Sequence, residues 1–287
     1  ETLEAKRCVL RDGSCGPADI EGFRARFGAF LARARAFGIT HLHEFYGIEE
    51  TEREYAQYVR PHPVASAFSD WLEMQVAPSL HGRIIRLVNR KTGRDAVRHA
   101  DPDERFSNVE GYGGLLLLAH QDYYSRERYD PEWRVASRAE RALVLEGACP
   151  NGLRFTRRLE LDAGSPLLRT HTRVENAGIA PATVVLQSRA EFNPGDPDAP
   201  TVDFAYREAG GRIVRRQILP PLEQFFGMQS FLEADRPAGE WWLTNRSLNL
   251  TLRNRFSLAQ VPRLRLWFRG RGENKVNLSL WSEKKTL

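Results

Sequence analysis

The sequence predicts a mainly β protein, an antiparallel β-sandwich preceded by a short helical and linker segment. Three observations carry that reading. From Trp71 to Asp95 the side chains alternate with a period of two, Leu72, Met74 and Val76 against Trp71, Glu73 and Gln75, then Ile85 and Leu87 against Ile84, Arg86 and Val88. From residue 141 onward, strand-like runs are separated by explicit turn chemistry, Asn151-Gly152 foremost. One stretch, residues 19–38, has instead the apolar spacing of a helix.

Composition bounds the class. With 287 residues, 41% hydrophobic and 10% aromatic, the chain can bury a substantial core, as two domains or as one large β domain with an appendage. The formal charge is +5 and the pI near 9.3. All but five of the 42 basic residues are arginine, and 37 acidic residues are interspersed with them. That mixture reads as a solvated surface rather than a nucleic-acid footprint. No run approaches the ~20 apolar residues of a membrane helix. Neither nucleic acid nor membrane is expected as a partner. The chain opens at Glu1 without Met or a charged-then-apolar leader, so no signal peptide is expected within the given residues; one removed or lying upstream stays open. Of the three cysteines, Cys8 and Cys15 flank a turn-like stretch and Cys149 is left over; free thiols are the expected state, with no zinc spacing and no cofactor.

In chain order, residues 1–18 read as an irregular lead-in broken by Gly13, Gly16 and Pro17. A helix follows, with Asp19 as N-cap, Gly38 as stop, and Phe23, Phe27, Phe30, Leu31, Ala34 and Phe37 along one face. That face needs a partner to cover it. Residues 39–67 form a Pro-punctuated linker with one short strand or turn; His41 and His43 alternate, but two ligands without a third do not make a metal site. The domain boundaries expected are 1–67 for the helical and linker segment and 68–287 for the sandwich.

Residues 99–133 read as a loop-rich insertion around the short apolar run Leu115–Ala119. Tyr112, Tyr123, Tyr124, Tyr129 and Trp133 gather there with Glu110, Asp122 and Asp130. Sugars bind where aromatic faces meet their C–H surfaces beside carboxylates that accept hydroxyl hydrogen bonds; the same aromatics would equally cover the end of a sheet. Strands are expected at 141–148, 153–161, 167–176 and 183–192. Arg189 and Glu191 share one face of the last, a forked donor beside an acceptor. Asp196 and Asp198 in "NPGDPDAP" read as turn formers rather than calcium ligands. Trp241 and Trp242 point to opposite faces of one strand, one in the core and one on the rim. The stretch from Val261 to Leu287 gives two strands about a Gly-rich turn, with a further strand expected beyond the end to cover an open edge.

The segments "APSLHGRIIRLVNRKTGRD" and "NGLRFTRRLELDAGSPLLRTHTRVENAGIAPATVVLQSRAEFNPGD" resemble the galactose-mutarotase-like β-supersandwich, with His81 where a first glycine usually stands. The likeness covers roughly residues 68–287. It is nearest to the C-terminal domains of large glycoside-hydrolase-like proteins. It implies an upstream catalytic domain in the same protein, an oligo- or polysaccharide partner, and catalytic carboxylates outside this chain. In aldose 1-epimerases a catalytic histidine precedes an aromatic in a "His-Pro-Tyr-Phe" type motif; laid on "QSRAEFN", that position is Arg189. Arginine stays protonated and cannot shuttle the proton.

The function expected is therefore a carbohydrate-active accessory sandwich with a structural and sugar-contacting role. Its ligand residues would be Tyr112, Tyr123, Tyr124, Trp133, Arg189, Glu191 and Trp242. The alternatives are a free-standing aldose epimerase-like enzyme, using His120 or His171 as acid with Glu191 or Glu223 as base, and a non-catalytic interaction module.

Overall fold

The computed structural model describes residues 17–43, 46–47, 62–97, 113–123, 128–193, 195, 202–217, 226–231, 237–269 and 275–287. Tyr112, Tyr124, the Cys8 and Cys15 pair, Asp196, Asp198 and Glu223, all singled out above, lie outside these residues. Contacts divide the chain into one unit of residues 1–64 and 99–112 and a second of residues 65–98 and 113–287.

In the first unit, α1 spans Pro17–Ala36. It starts two residues before the expected Asp19 cap because proline, with its fixed φ and no N–H to satisfy, suits the first helical position. Gly38, at φ 72°, ends it. The Gly38 N–H donates to the Arg35 carbonyl at 2.9 Å and the Ile39 N–H to the Ala34 carbonyl at 3.0 Å, the paired bonds of a Schellman turn. Leu31 and Ala34 are buried with Phe27 against them, whereas Phe30 is 47% and Phe37 83% exposed. The stripe drifts, because at 3.6 residues per turn Phe30 and Phe37 fall at one edge of its arc. Two short strands, β1 (His41–His43) and β2 (Tyr46–Gly47), pair antiparallel.

The second unit is built of β3 (Ala65–Phe68), β4 (Leu72–Ala77), β5 (Arg83–Asn89), β6 (Arg94–Asp95), β7 (Gly114–His120) and β8 (Arg128–Tyr129). After these come β9 (Glu132–Ala139), β10 (Ala142–Ala148), β11 (Leu153–Leu161), β12 (Leu168–Asn176), β13 (Thr183–Phe192), β14 (Val202–Arg207) and β15 (Ile213–Gln217). The chain finishes with β16 (Phe226–Phe231), β17 (Glu240–Asn245), β18 (Leu250–Arg255), β19 (Arg263–Arg269), β20 (Lys275–Trp281) and β21 (Lys285–Thr286). They make a large sheet of eleven strands, with the main path β16-β19-β20-β13-β7-β5-β4-β3, and two four-stranded sheets, β12-β11-β10-β9 and β15-β14-β17-β18. All pairings are antiparallel; the fold is a β-supersandwich.

The register shows where each small sheet packs. On β13, Leu186 pairs with Ala119 and Ala190 with Leu278, and residues four apart on a strand share a face. Ala119 belongs to the core made with Leu143, Leu145, Leu153, Phe155, Leu159 and Leu161 of the β9–β12 sheet. Leu278 belongs to the core made with Val202, Phe204, Tyr206, Trp241 and Leu243 of the other small sheet. Both small sheets therefore cover the same face of the large one, side by side. Its opposite face is left for other work.

One arginine enters the first core. Arg157 on β11 is 3% exposed, its Nη1 donates to the Gly82 carbonyl at 2.7 Å, and burial pushes its pKa down to about 10. The carbonyl is aimed inward by the β4–β5 turn, where His81 and Gly82 both take left-handed φ, 60° and 61°.

One expectation is corrected here, and one strand is added. The run Leu115–Ala119 is not part of a loop but most of β7, in the middle of the large sheet; a strand buried on both faces reads as an unbroken apolar run. Strand β9 was not visible in the sequence, because only Trp133 along it is buried. Strand β20 is flanked by β13 and β19, and β21 adds to the start of β13.

Candidate functional site

On the other side of the large sheet, β13 presents Gln187, Arg189 and Glu191 at alternate positions. Opposite them on β20 stand Trp281, Ser279 and Asn277, and on the other flank Leu118, Leu116 and Gly114 of β7. The polar members join into one row. His120 Nε2 lies 3.0 Å from Gln187 Oε1, Gln187 Nε2 donates to Ser279 Oγ at 2.9 Å, and Ser279 Oγ donates to Asn277 Oδ1 at 3.1 Å. Asn277 Nδ2 then donates to Glu191 Oε1 at 3.2 Å, which also accepts from Arg189 Nη2 at 3.3 Å. Six side chains from three strands thus form an unbroken hydrogen-bonded line.

The row is deeply set. His120, Gln187, Glu191, Asn277 and Ser279 are buried, while the Arg189 side chain retains 15% exposure. Buried polar groups are costly unless paired, and a chain of mutually satisfied partners removes that cost while fixing each rotamer. At the Glu191 end the sheet makes room for a second cation. Gly114 pairs with Glu191, and a Cβ there would sit 3.1 Å from the aliphatic stem of fully buried Arg83, whose Nη1 donates to the Gly113 carbonyl at 3.1 Å.

At the His120 end the row meets rings. Trp281 lies 5.1 Å from the His120 ring and 6.2 Å from Tyr123, centroid to centroid. Tyr123 is anchored by its hydroxyl to the Ser282 carbonyl at 2.9 Å, and the Arg263 guanidinium lies over its ring at 3.9 Å. Just past β7, Gln121 and Asp122 enter the lining of a groove of about 610 Å³ with Tyr129, Asn151, Thr183 and Lys284. Lys284 Nζ bonds Asp122 at 2.8 Å and holds that carboxyl below the usual range.

Of the residues expected to bind ligand, Tyr123, Arg189 and Glu191 therefore lie along one line. Trp133 does not join them: it is 8% exposed, 5.9 Å from Phe155 in the first core, and Gly82 and Gly147 lack side chains where its ring lies. Trp242 is half-buried on the outer face of the β14–β18 sheet, with Trp241 fully buried behind it. His171 is exposed on β12, in a different sheet from the row. Sequence reasoning missed Gln187, Asn277, Ser279, Trp281 and Arg263. Their signal was alternation, Gln-x-Arg-x-Glu on one strand and Asn-x-Ser-x-Trp on another, polar at the very parity where a sandwich strand buried on both sides should be apolar.

No protein-family model matches the sequence, and no curated protein matches it. Solved structures do. The Slr1438 protein of Synechocystis sp. PCC 6803 aligns with a TM-score of 0.58 at 15% identity, over 79% of this chain and 91% of that one. A galactose mutarotase related enzyme from Lactobacillus acidophilus aligns at 0.56 and 11% identity, over 76% and 85%. A galactose mutarotase-like protein from Clostridium acetobutylicum aligns at 0.53 and 14% identity, over 79% and 91%. The fold is the galactose-mutarotase-like supersandwich. At these identities the likeness speaks for the fold alone.

Proposed function

We propose that this supersandwich is part of a carbohydrate-active, glycoside-hydrolase-like protein, that it contacts an oligo- or polysaccharide without transforming it, and that the catalytic carboxylates belong to an upstream domain. The observation that carries this reading is the separation of His120, an acid candidate, from Glu191, a base candidate on the same sheet. His120 pairs with Val185 and Glu191 lies six residues further along β13, about 20 Å of backbone at roughly 3.3 Å per residue. Gln187, Ser279 and Asn277 fill the interval, already bonded to one another. Anomerisation needs its acid and base on one sugar ring. This pair cannot reach one.

Arg189 supports a binding role. It stands where an epimerase needs a proton shuttle, keeps its charge, and is the best-exposed member of the row beside Glu191, a forked donor next to an acceptor. An accessory role fits a further match: a TPR-domain containing protein from Parabacteroides distasonis aligns at a TM-score of 0.56 and 13% identity, and the match spans 45% of that longer chain.

The test is a glycan-array screen followed by calorimetric titration of the hits, beside a polarimetric assay of aldose anomerisation. The expected result is saccharide binding weakened at least tenfold by Arg189→Ala, with anomerisation no faster than buffer. Anomerisation by the wild type that disappears in His120→Ala would replace this reading with the epimerase.

A further inference from the structure

The outer face of the β14–β18 sheet carries a feature the polar row does not explain. Trp242 pairs with Ala205 on one side and Arg253 on the other, and Ala205 pairs with Arg215. One row across four strands therefore reads Arg215, Ala205, Trp242, Arg253, spanning about 14 Å at roughly 4.8 Å per strand. Ala205 is 1% exposed although its strand neighbours Asp203 and Arg207 on this face are not buried. Its cross-strand neighbours are the half-buried Trp242 and the exposed Arg215. A tryptophan that keeps part of its ring exposed beside an alanine has apolar surface on which a sugar ring can stack.

The charge around that platform is one-sided. The outward positions of the four strands carry Arg207, Arg215, Arg253 and Arg255 against Asp203 and Glu240. Glu240 is shared by Arg253 and Arg255, and Asp203 is taken by Arg246 from the adjoining turn. Every carboxylate on the face is thus already engaged, and guanidinium groups remain in excess. Guanidinium forks match carboxylate and sulfate oxygens in a way they do not match neutral hydroxyls.

Resting on the carbohydrate reading above, we infer that this face binds an acidic glycan, a uronate-bearing chain, with Trp242 under a sugar ring and Arg215 on its anionic groups. The length of the row suits an oligosaccharide rather than a single sugar. The face is separate from the row on β13, so the two contacts can be tested apart.

The experiment titrates the full chain calorimetrically with galacturonate hexasaccharide and with neutral maltohexaose, at low and at high salt. The acidic hexamer is expected to bind at least tenfold more tightly than the neutral one, to weaken as salt rises, and to lose at least tenfold in affinity in Trp242→Ala and in Arg215→Ala. Arg215 is exposed, so its variant serves if Trp242→Ala fails to fold. Equal affinity for both hexamers, or no loss in Arg215→Ala, overturns the inference. If saccharide binding then depends on Arg189 alone, the carbohydrate reading stands without this site. If neither hexamer binds and the array is blank, both fall.

Discussion

The two four-stranded sheets are built alike and turned outward differently. Each lays an apolar face on the same side of the large sheet, and each contributes fully buried rings or leucines to its own core. On the β9–β12 sheet both large aromatics, Trp133 and Phe155, point inward, and the outer face pairs Arg134 with Glu146, Arg158 with Glu160 and Arg173 with Glu175. On the β14–β18 sheet one tryptophan of an adjacent pair points out among arginines. The inner faces are set by packing on a common partner. The outer faces answer to nothing in the fold, and a departure from balanced charge and polar side chains there needs another reason.

The largest effects should separate inside from outside. Trp241→Ala and Trp133→Ala should each cost about 3–5 kcal/mol in urea unfolding, while Trp242→Ala, one residue from the first, should cost about 1 kcal/mol or less. Equal losses at 241 and 242 would break the distinction between the two faces. Next in size is Gly82→Ala, beneath the first sheet. An added Cβ would meet Leu145 and Trp133 at 3.3 Å at a backbone φ of 61°, so a loss of about 1–3 kcal/mol is expected by the same measurement.

The outer face of the β14–β18 sheet should also respond to acid. Arg253 and Arg255 hold the Glu240 carboxyl down to about 2, from an ordinary 4.5. Its stabilising contribution is complete above the ordinary value and is lost as pH falls from there toward 2. A pH series of thermal melts should show Glu240→Gln flattening that acid limb. The smallest effect should be Arg134→Ala, whose side chain is 76% exposed; it should shift stability by less than about 1 kcal/mol.

Much of the β architecture was legible because most strands obey one rule, apolar inward and polar outward. Strands β11 and β13 match the expected 153–161 and 183–192 to the residue, since an Asn-Gly turn and a clean alternation bound them. Strand β7 escaped because its run of leucines has no alternation, and β9 because its face holds a single large apolar side chain. The site was half legible. Arg189 and Glu191 were visible as a same-face pair, but their partners come from β20, 86 residues away at Asn277, and no local pattern announces such a pairing. Trp133 misled because an aromatic beside acidic loop residues looks the same in sequence whether its ring faces a sugar or a glycine.

The place of β13 in the sheet order has a further consequence, for assembly. Its two neighbours arrive at very different times: β7 is already made when β13 is synthesised, whereas Gln187 must wait for Ser279, 92 residues later. Until then the centre of the large sheet is an unfinished edge with exposed amides and carbonyls, and pairing of such high sequence separation is slow to nucleate. The chain should therefore fold late and nearly all at once, with β20 closing the sheet. A ribosome-bound chain halted before residue 275 should remain protease-sensitive across β7 and β13, even though most of the first core has already emerged.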